Sequence, residues 1–329
     1  WCPRRFVCAG GGFQPVSAAR CGVDSCLFLC HLGYPGEGPP GSAWVLSCNL
    51  TSLNPRVAWL VAAHDWATVV CSQETHLTAS SWHRVGSALR GQGLHGVHSA
   101  TGVRPGRLDG ASDQAQGCAI TVGQGAGLGS VPVAPPPCPS FLRRAVFARV
   151  PLWRGGPVVC VASVYGFCHG GDLEGRTANE DLFEWVVGAL LGQPYPWMIA
   201  ADVNQCPATV PALASAARAG LGLDLCDLLP SLRVPTTVGA GGPANRIDAV
   251  WVSQGLAPWV ADARVVDVGL PTHLGIMVQF RGRASGSPAP PVVVRPGFRH
   301  LFHGVGWSAL SSQCHAQVWQ AVDQVDAQD

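Results

Sequence analysis

Isolated polar residues end or interrupt the apolar runs of this chain in a set order: Asn49, Glu74, Tyr165, Asp202 with Asn204, Asp248 and then His273. Val45-Leu46-Ser47-Cys48 leads into Asn49, Thr68-Val69-Val70-Cys71-Ser72-Gln73 into Glu74, and Trp197-Met198-Ile199-Ala200-Ala201 into Asp202. A carboxylate at the end of a buried run is costly unless a cation or a hydrogen-bond donor satisfies it. Carboxylates joined by one His and two Asn suit a hard divalent cation and a phosphate ester.

Each residue also has a plainer reading. Glu74 could cap a surface loop. Asp202 and Asn204 sit one residue apart, so extended geometry points both into one cavity, but Asp-x-Asn also closes strands as an Asx turn. His273 follows a Pro-Thr turn, where many histidines are structural. With Asp248 ahead of it and an apolar run behind it, His273 can instead be an imidazole whose tautomer and charge a carboxylate fixes. A Tyr at position 165 could donate its hydroxyl to the same phosphate or belong to the core.

The elements that must position these residues alternate strand and helix from Ala43 onward. Pro55 to His64 reads as a helix with Asn54 as N-cap and Pro55 in the first turn, and a second runs from Ser80 to Leu89. Cys118 to Val122, Ala145 to Val150 and Val158 to Tyr165 read as strands, followed by an amphipathic helix from Asn179 to Leu191. The pattern then repeats: strand Tyr195 to Ala201, helix Val210 to Ala219, strand Arg246 to Ser253 and strand Leu274 to Phe280. Strand ends of a layered α/β protein are where side chains from distant segments converge.

Composition bounds the possibilities. The chain has 329 residues, 47% hydrophobic and 12% charged, which fits one large two-sheet domain with appendages. All 21 basic residues are Arg, and the net charge is +1, so the whole molecule carries no polyanion-binding signature. Nucleic-acid contact would rest on local clusters such as Arg143 and Arg144 with Arg149 and Arg154. Trp82, His83, Arg84 and the stretch from Val103 to Gly117 are candidate substrate loops by position. No stretch approaches the apolar length that spans a bilayer, and the first residues lack the order of a secretory signal. An intracellular setting and no membrane partner are therefore expected.

Three regions are drawn. Residues 1–41 are a Cys-rich segment and linker, in which Cys21, Cys26, Cys30 and His31 could ligate zinc although their spacing misses the usual paired form. Residues 42–283 form the candidate catalytic unit. Residues 284–329 hold a Pro/Ser-rich linker and a tail with helical spacing from Trp307 to Val325. Cys48, Cys71, Cys118 and Cys160 lie inside the presumed strands and read as small buried hydrophobes. The chain starts at Trp1, so it reads as a piece of a longer product.

The segments Ser47-Cys48-Asn49, Ser72-Gln73-Glu74-Thr75-His76, Val164-Tyr165-Gly166, Ala201-Asp202-Val203-Asn204, Asn245-Arg246-Ile247-Asp248 and Pro271-Thr272-His273 occur in one order between Ser42 and Arg283. In that order they resemble the endonuclease/exonuclease/phosphatase superfamily, most closely in style the non-LTR retrotransposon endonucleases. The resemblance implies a four-layer α/β sandwich, two packed mixed β-sheets flanked by helices. It implies Mg²⁺ or Mn²⁺ held by Glu74 with Asn49 and Asp202 at the same site. Asp202 would position or deprotonate the attacking water. His273, fixed by Asp248, would contact the phosphate with Asn204, Tyr165 and Asn49. DNA is the implied partner, and a continuation into further domains such as a reverse transcriptase goes with it. A deadenylase, an abasic-site enzyme and a lipid or inositol phosphatase are the other activities of this superfamily that remain open.

The departures carry information too. Ala201 stands where the family has Gly, Thr272 where it usually has Asp before the His, and Thr51 where some members place a carboxylate. Weaker metal binding is expected. Two readings follow: retained hydrolysis, and a non-catalytic copy kept as a binding scaffold.

Overall fold

The computed structural model describes residues 7–9, 12–14, 42–99, 116–123, 126–153, 156–168, 173–237, 245–270 and 272–281. The Cys2 to His31 cluster apart from Cys8, the tail from Trp307 to Val325, Arg154 and most of the Val103 to Gly117 stretch lie outside them. A short antiparallel hairpin joins β1 (Val7–Ala9) to β2 (Gly12–Gln14).

Two sheets carry the rest. The first contains β3 (Ser42–Asn49), β4 (Val69–Gln73), β5 (His95–His98), β6 (Cys118–Val122), β12 (Val260–Val266) and β13 (Gly275–Arg281). Its order is β12-β13-β3-β4-β6-β5. The second contains β7 (Ala145–Pro151), β8 (Val158–Tyr165), β9 (Trp197–Asp202), β10 (Gly222–Asp224) and β11 (Asp248–Ser253), in the order β10-β11-β9-β8-β7. Each sheet has one parallel pair at its centre, β3 with β4 and β8 with β9, and antiparallel neighbours outside. Both sheets are therefore mixed.

Parallel neighbours need a crossover. In the first sheet it is α1 (Val57–Ala63), entered through a 3₁₀ turn at Asn54–Arg56, and in the second α3 (Leu173–Leu191). The helices α2 (Ala79–Arg90), α4 (Pro211–Arg218) and the short α5 (Leu225–Leu228) complete the set among the described residues. Val45, Val69, Ile120, Val161, Met198 and Val278 interdigitate between the sheets. Leu46, Leu60, Val85 and Leu89 pack the first sheet against α1 and α2, while Phe183, Val186, Ile199 and Leu213 pack the second against α3 and α4. The result is helix, sheet, sheet, helix, the expected four layers. Central strands are covered on both faces, which is why they read as continuous apolar runs.

Several boundaries differ from expectation for local reasons. Leu53 takes the cap position before Pro55, and Thr78, not Ser80 or Ser81, caps α2 in a capping box with Ser81. The helix expected from Asn179 begins at Leu173, because its first six residues precede the part that meets the sheet and lack apolar spacing. β5, β10 and β12 were not legible: β5 holds two histidines in four residues, β10 is three residues long, and β12 is an edge strand interrupted by Asp262 and Arg264. Cys48, Cys71, Cys118 and Cys160 are free and buried. No helix among the described residues is long and apolar enough to cross a membrane.

His64 ties the end of α1 to the first sheet. Its Nδ1 lies 3.0 Å from the Ala67 carbonyl and must donate, so Nε2 accepts from Thr121 Oγ1 at 2.8 Å. Burial lowers its pKa from 6.5 to about 4, and His98 is lowered to about 4 for the same reason. The unfolded chain binds these protons below 6.5 and the folded chain only below about 4. Stability is therefore full above that window and falls on acidification through it. Between pH 7 and pH 5 each histidine is expected to cost about 2 kcal/mol. Urea unfolding of wild type, His64→Gln and His98→Gln at both pH values checks this, since each variant should flatten the pH dependence.

Candidate active site

All the strand-end residues meet at one end of the sandwich. Asn49 closes β3, Glu74 follows β4, Tyr165 closes β8 and Asp202 closes β9. Asp248 opens the antiparallel β11 directly opposite Asp202, and Tyr165 is the parallel partner of Asp202 on the other side. His273 lies two residues before β13, which pairs with β3. The two parallel pairs thus point their carboxyl ends the same way, and the two antiparallel strands start there.

Asn49, 1% exposed, stands at the centre. Its Nδ2 donates to Asp202 Oδ2 at 2.8 Å and lies 3.5 Å from His273 Nε2. Its Oδ1 accepts the Thr51 N–H at 2.8 Å, which fixes the amide orientation. His273 Nδ1 is 3.1 Å from Asp248 Oδ2, and its Nε2 is 3.9 Å from Asp202 Oδ2. The ligand atoms of Asp202, Asp248 and His273 all lie within 4.8 Å of one another.

Electrostatics gives these groups different states. Burial raises the pKa of Asp202 to about 7, helped by the charge of Asp248 and opposed by His273, Asn49 and the Asn204 N–H. Burial acts to lower His273, but the hydrogen bond and charge of Asp248, with Asp202 and Glu74 beyond, outweigh it and lift the imidazole to about 9. Burial likewise acts to raise Glu74, yet His76 and Asn49 hold it below the usual carboxylate value. His76 Nε2 is 3.2 Å from Glu74 Oε1. Burial, Cys168 and the nearby carboxylates push the Tyr165 phenol up, so it stays protonated, with its oxygen 3.0 Å from Cys168 Sγ.

Backbone strain is concentrated here. Thr51, Glu74, His76 and Asn204 adopt φ of 52°, 54°, 52° and 56°, a region that non-glycine residues enter mainly at special sites. At Asn204 this corrects the alternation argument. The Asn204 N–H donates to Asp202 Oδ1 at 3.0 Å, so the Asx turn and the site residue are one structure, and the Asn204 amide donates to the Gly166 carbonyl at 3.1 Å.

No protein-family model and no curated protein matches the chain. Solved structures do. A 3' phosphatase from Neisseria, bound to a product DNA hairpin, is 18% identical with a TM-score of 0.53, covering 73% of this chain and 100% of its own. An AP endonuclease from Archaeoglobus fulgidus is 17% identical with a TM-score of 0.53, covering 72% and 99%. The endonuclease domain of TRAS1, a telomere-specific non-LTR retrotransposon, is 15% identical with a TM-score of 0.51, covering 73% and 98%. The fold is that of the endonuclease/exonuclease/phosphatase proteins.

On this endonuclease/exonuclease/phosphatase scaffold, residues beyond the expected set hold the site together. Gly166 is a junction: its N–H donates to the Asp202 carbonyl at 2.7 Å, and its carbonyl accepts from Asn204 and from Arg144 at 2.7 Å. A Cβ there would collide with the Val203 carbonyl. Asn179, fully buried on α3, accepts the Phe167 N–H at 2.7 Å and donates toward the Phe167 and Val203 carbonyls, clamping the loops after β8 and β9. Thr236 Oγ1 accepts the Asp248 N–H at 3.0 Å, and its carbonyl accepts the Leu274 N–H at 2.7 Å, so one residue positions both members of the Asp248–His273 pair. Thr236 sits in a polar loop with no apolar pattern. A buried Asn within an amphipathic helix was the one available signal for Asn179.

Arg144 is corrected. Expected among the substrate-contacting arginines, it is 6% exposed and its guanidinium donates to the Tyr165 and Gly166 carbonyls while lying 3.9 Å from the Phe167 ring centre. It braces the β8 end from inside the protein, whereas Arg143 is half-buried beside it. Arg246 is likewise committed, bidentate to Asp224 at 2.6 Å. Thr272 is exposed. Arg144→Ala is expected to lower stability by roughly 2–4 kcal/mol, read by urea unfolding.

The donor chemistry fits a hard divalent cation. His273 already supplies positive charge between Asp202 and Asp248, so that trio contains its own counter-ion. Glu74, held ionised with its side chain 16% exposed at the rim, offers oxygen ligands to a cation that retains several waters.

Proposed function

We propose that this protein is a divalent-metal-dependent phosphodiesterase that cleaves DNA as an endonuclease of retroelement type. The observation that carries the reading is the convergence of Asp202 with the Asp248–His273 pair, bridged by Asn49, at one end of both sheets. Glu74, with Asn49 and Asp202 beside it, would hold Mg²⁺ or Mn²⁺. When bound, the cation supplies Lewis-acid stabilisation of charge on the phosphate oxygens.

The chain's own residues account for the proton and charge movements. Asp202, with a pKa near neutrality, takes a proton from the attacking water. The water oxygen bonds to phosphorus as the bond to the leaving oxygen breaks, and that oxygen departs as an oxyanion that takes its proton from solvent. His273, cationic and fixed by Asp248, donates through Nε2 to the phosphate oxygens as negative charge builds. Tyr165 adds a neutral O–H donor, and Asn49 and Asn204 add amide donors at the same mouth. The Asn204 amide already serves Gly166, so its share is the second amide hydrogen.

Support for DNA comes from the similar structures: one was solved with a DNA hairpin, one is an AP endonuclease, and one is a retrotransposon endonuclease domain. A nuclear setting and continuation toward a reverse transcriptase go with this reading. The His76 contact on Glu74 favours a second reading, in which a lapsed cation site leaves a binding scaffold. The test is a substrate panel with Mg²⁺: supercoiled plasmid, an abasic-site duplex, polyadenylated RNA and a phosphoinositide. Plasmid nicking supports the proposal, preference for another member reassigns the substrate, and inactivity on all favours the scaffold.

A further inference from the structure

Gln73 is the residue before Glu74, fully buried between the two sheets. An amide in an apolar interior costs free energy unless it is hydrogen-bonded. Its Nε2 lies 3.1 Å from Ser163 Oγ and 3.2 Å from the Ala200 carbonyl, both in the second sheet, and 3.4 Å from Ser47 Oγ in its own sheet. The positions of these partners share one relation to the site. Ser47 is two residues before Asn49, Ser163 two before Tyr165 and Ala200 two before Asp202. The amide therefore reaches the strands that carry Asn49, Tyr165 and Asp202 one pleat below their functional ends. Ser163 Oγ in turn donates to the Ser72 carbonyl at 3.1 Å, a second bond across the same gap.

We propose that Gln73 is a positioning residue that fixes the spacing and register of the two sheets directly beneath the candidate active site. The alternative is a stabilising core contact, and the geometry argues against it. Gln73 Oε1 has no partner and is buried, which is a cost that an apolar residue of equal size would remove. Ser163 Oγ keeps its bond to Ser72 when the amide is lost. Buried polar groups of this kind contribute geometric definition more than stability.

The activity arm rests on the phosphodiesterase reading, and the structural arm does not. The variant is Gln73→Met, an apolar residue of similar length, with Ser163→Ala and the double variant completing a cycle. Urea unfolding of Gln73→Met should match or exceed wild type. Hydrogen exchange of the Leu50 and Gly166 amides, which donate to the Gln73 and Asp202 carbonyls, should speed up by roughly 10-fold while β12 amides are unchanged. Turnover on plasmid should fall by roughly 10-fold or more at unchanged KM, in the range seen when groups supporting a site are removed. The double variant should fall below Gln73→Met alone, because Ser163→Ala also removes the second bond across the gap, to the Ser72 carbonyl. Unchanged exchange at both amides overturns the proposal, as does a loss of global stability that accounts for the whole effect. Inactive wild-type protein with the predicted exchange change would sink the phosphodiesterase reading and leave the positioning role standing.

Discussion

Asp202→Asn is expected to lower plasmid nicking at least ~100-fold while leaving the fold intact, the usual scale for loss of a general base. The amide keeps the shape of the carboxylate, but its single oxygen can accept from Asn49 or from the Asn204 N–H and not from both, since the two donors use different oxygens of Asp202. It cannot take a proton from water. Burying a neutral amide in place of a fully buried carboxylate removes the desolvation cost and the repulsion with Asp248, while the attraction to His273 and one hydrogen bond are lost, so the net change in stability should be small. Rates measured at matched folded fraction, with urea unfolding as the control, separate chemistry from folding. Wild-type turnover in this variant would remove Asp202 from the mechanism.

Asp248→Asn is the second change with a large expected effect, again at least ~100-fold in turnover, by analogy with carboxylates that orient a catalytic imidazole. Asp248 holds His273 by accepting from Nδ1 at 3.1 Å, and its charge is a main reason that the imidazole is lifted to about 9. An amide removes the charge and can turn its NH₂ toward Nδ1, which favours the wrong tautomer. The His273 titration followed by NMR should fall from about 9 toward the ordinary 6.5. The alkaline limb of the rate profile should move down with it, because the proposed mechanism uses His273 as a cation. A variant that is fully active with an unmoved titration would show that the pair is structural.

Much of this architecture was legible in the chain, for reasons that follow from layering. The central strands β3, β4, β8, β9 and β11 are covered on both faces, so their sequences are apolar runs that end abruptly where the site begins. Asn49, Glu74, Asp202 and His273 were visible because a polar residue at such an end has to be satisfied there. What escaped was held by backbone rather than by pattern. Thr236 works through its carbonyl and one hydroxyl, Gly166 through the absence of a side chain, and both sit in loops. The inward turn of Arg144 was hidden because an Arg next to Arg143 reads as surface charge. The carbonyls of Tyr165 and Gly166 and the rings of Tyr165 and Phe167, brought around it by the fold, make burial tolerable. The left-handed backbone at Glu74 likewise could not be read from a residue type that rarely adopts it, whereas Asn204 is of a type that enters this region more readily.

The metal requirement of plasmid nicking tests the central claim most directly. Supercoiled plasmid is incubated with the protein, first with EDTA and then across a titration of Mg²⁺ or Mn²⁺, with Glu74→Gln as the paired control. The account predicts no nicking in EDTA, nicking that saturates with metal, and a Glu74→Gln curve displaced to higher metal or abolished. Nicking that persists in EDTA, or a Glu74→Gln curve superimposed on wild type, would contradict it.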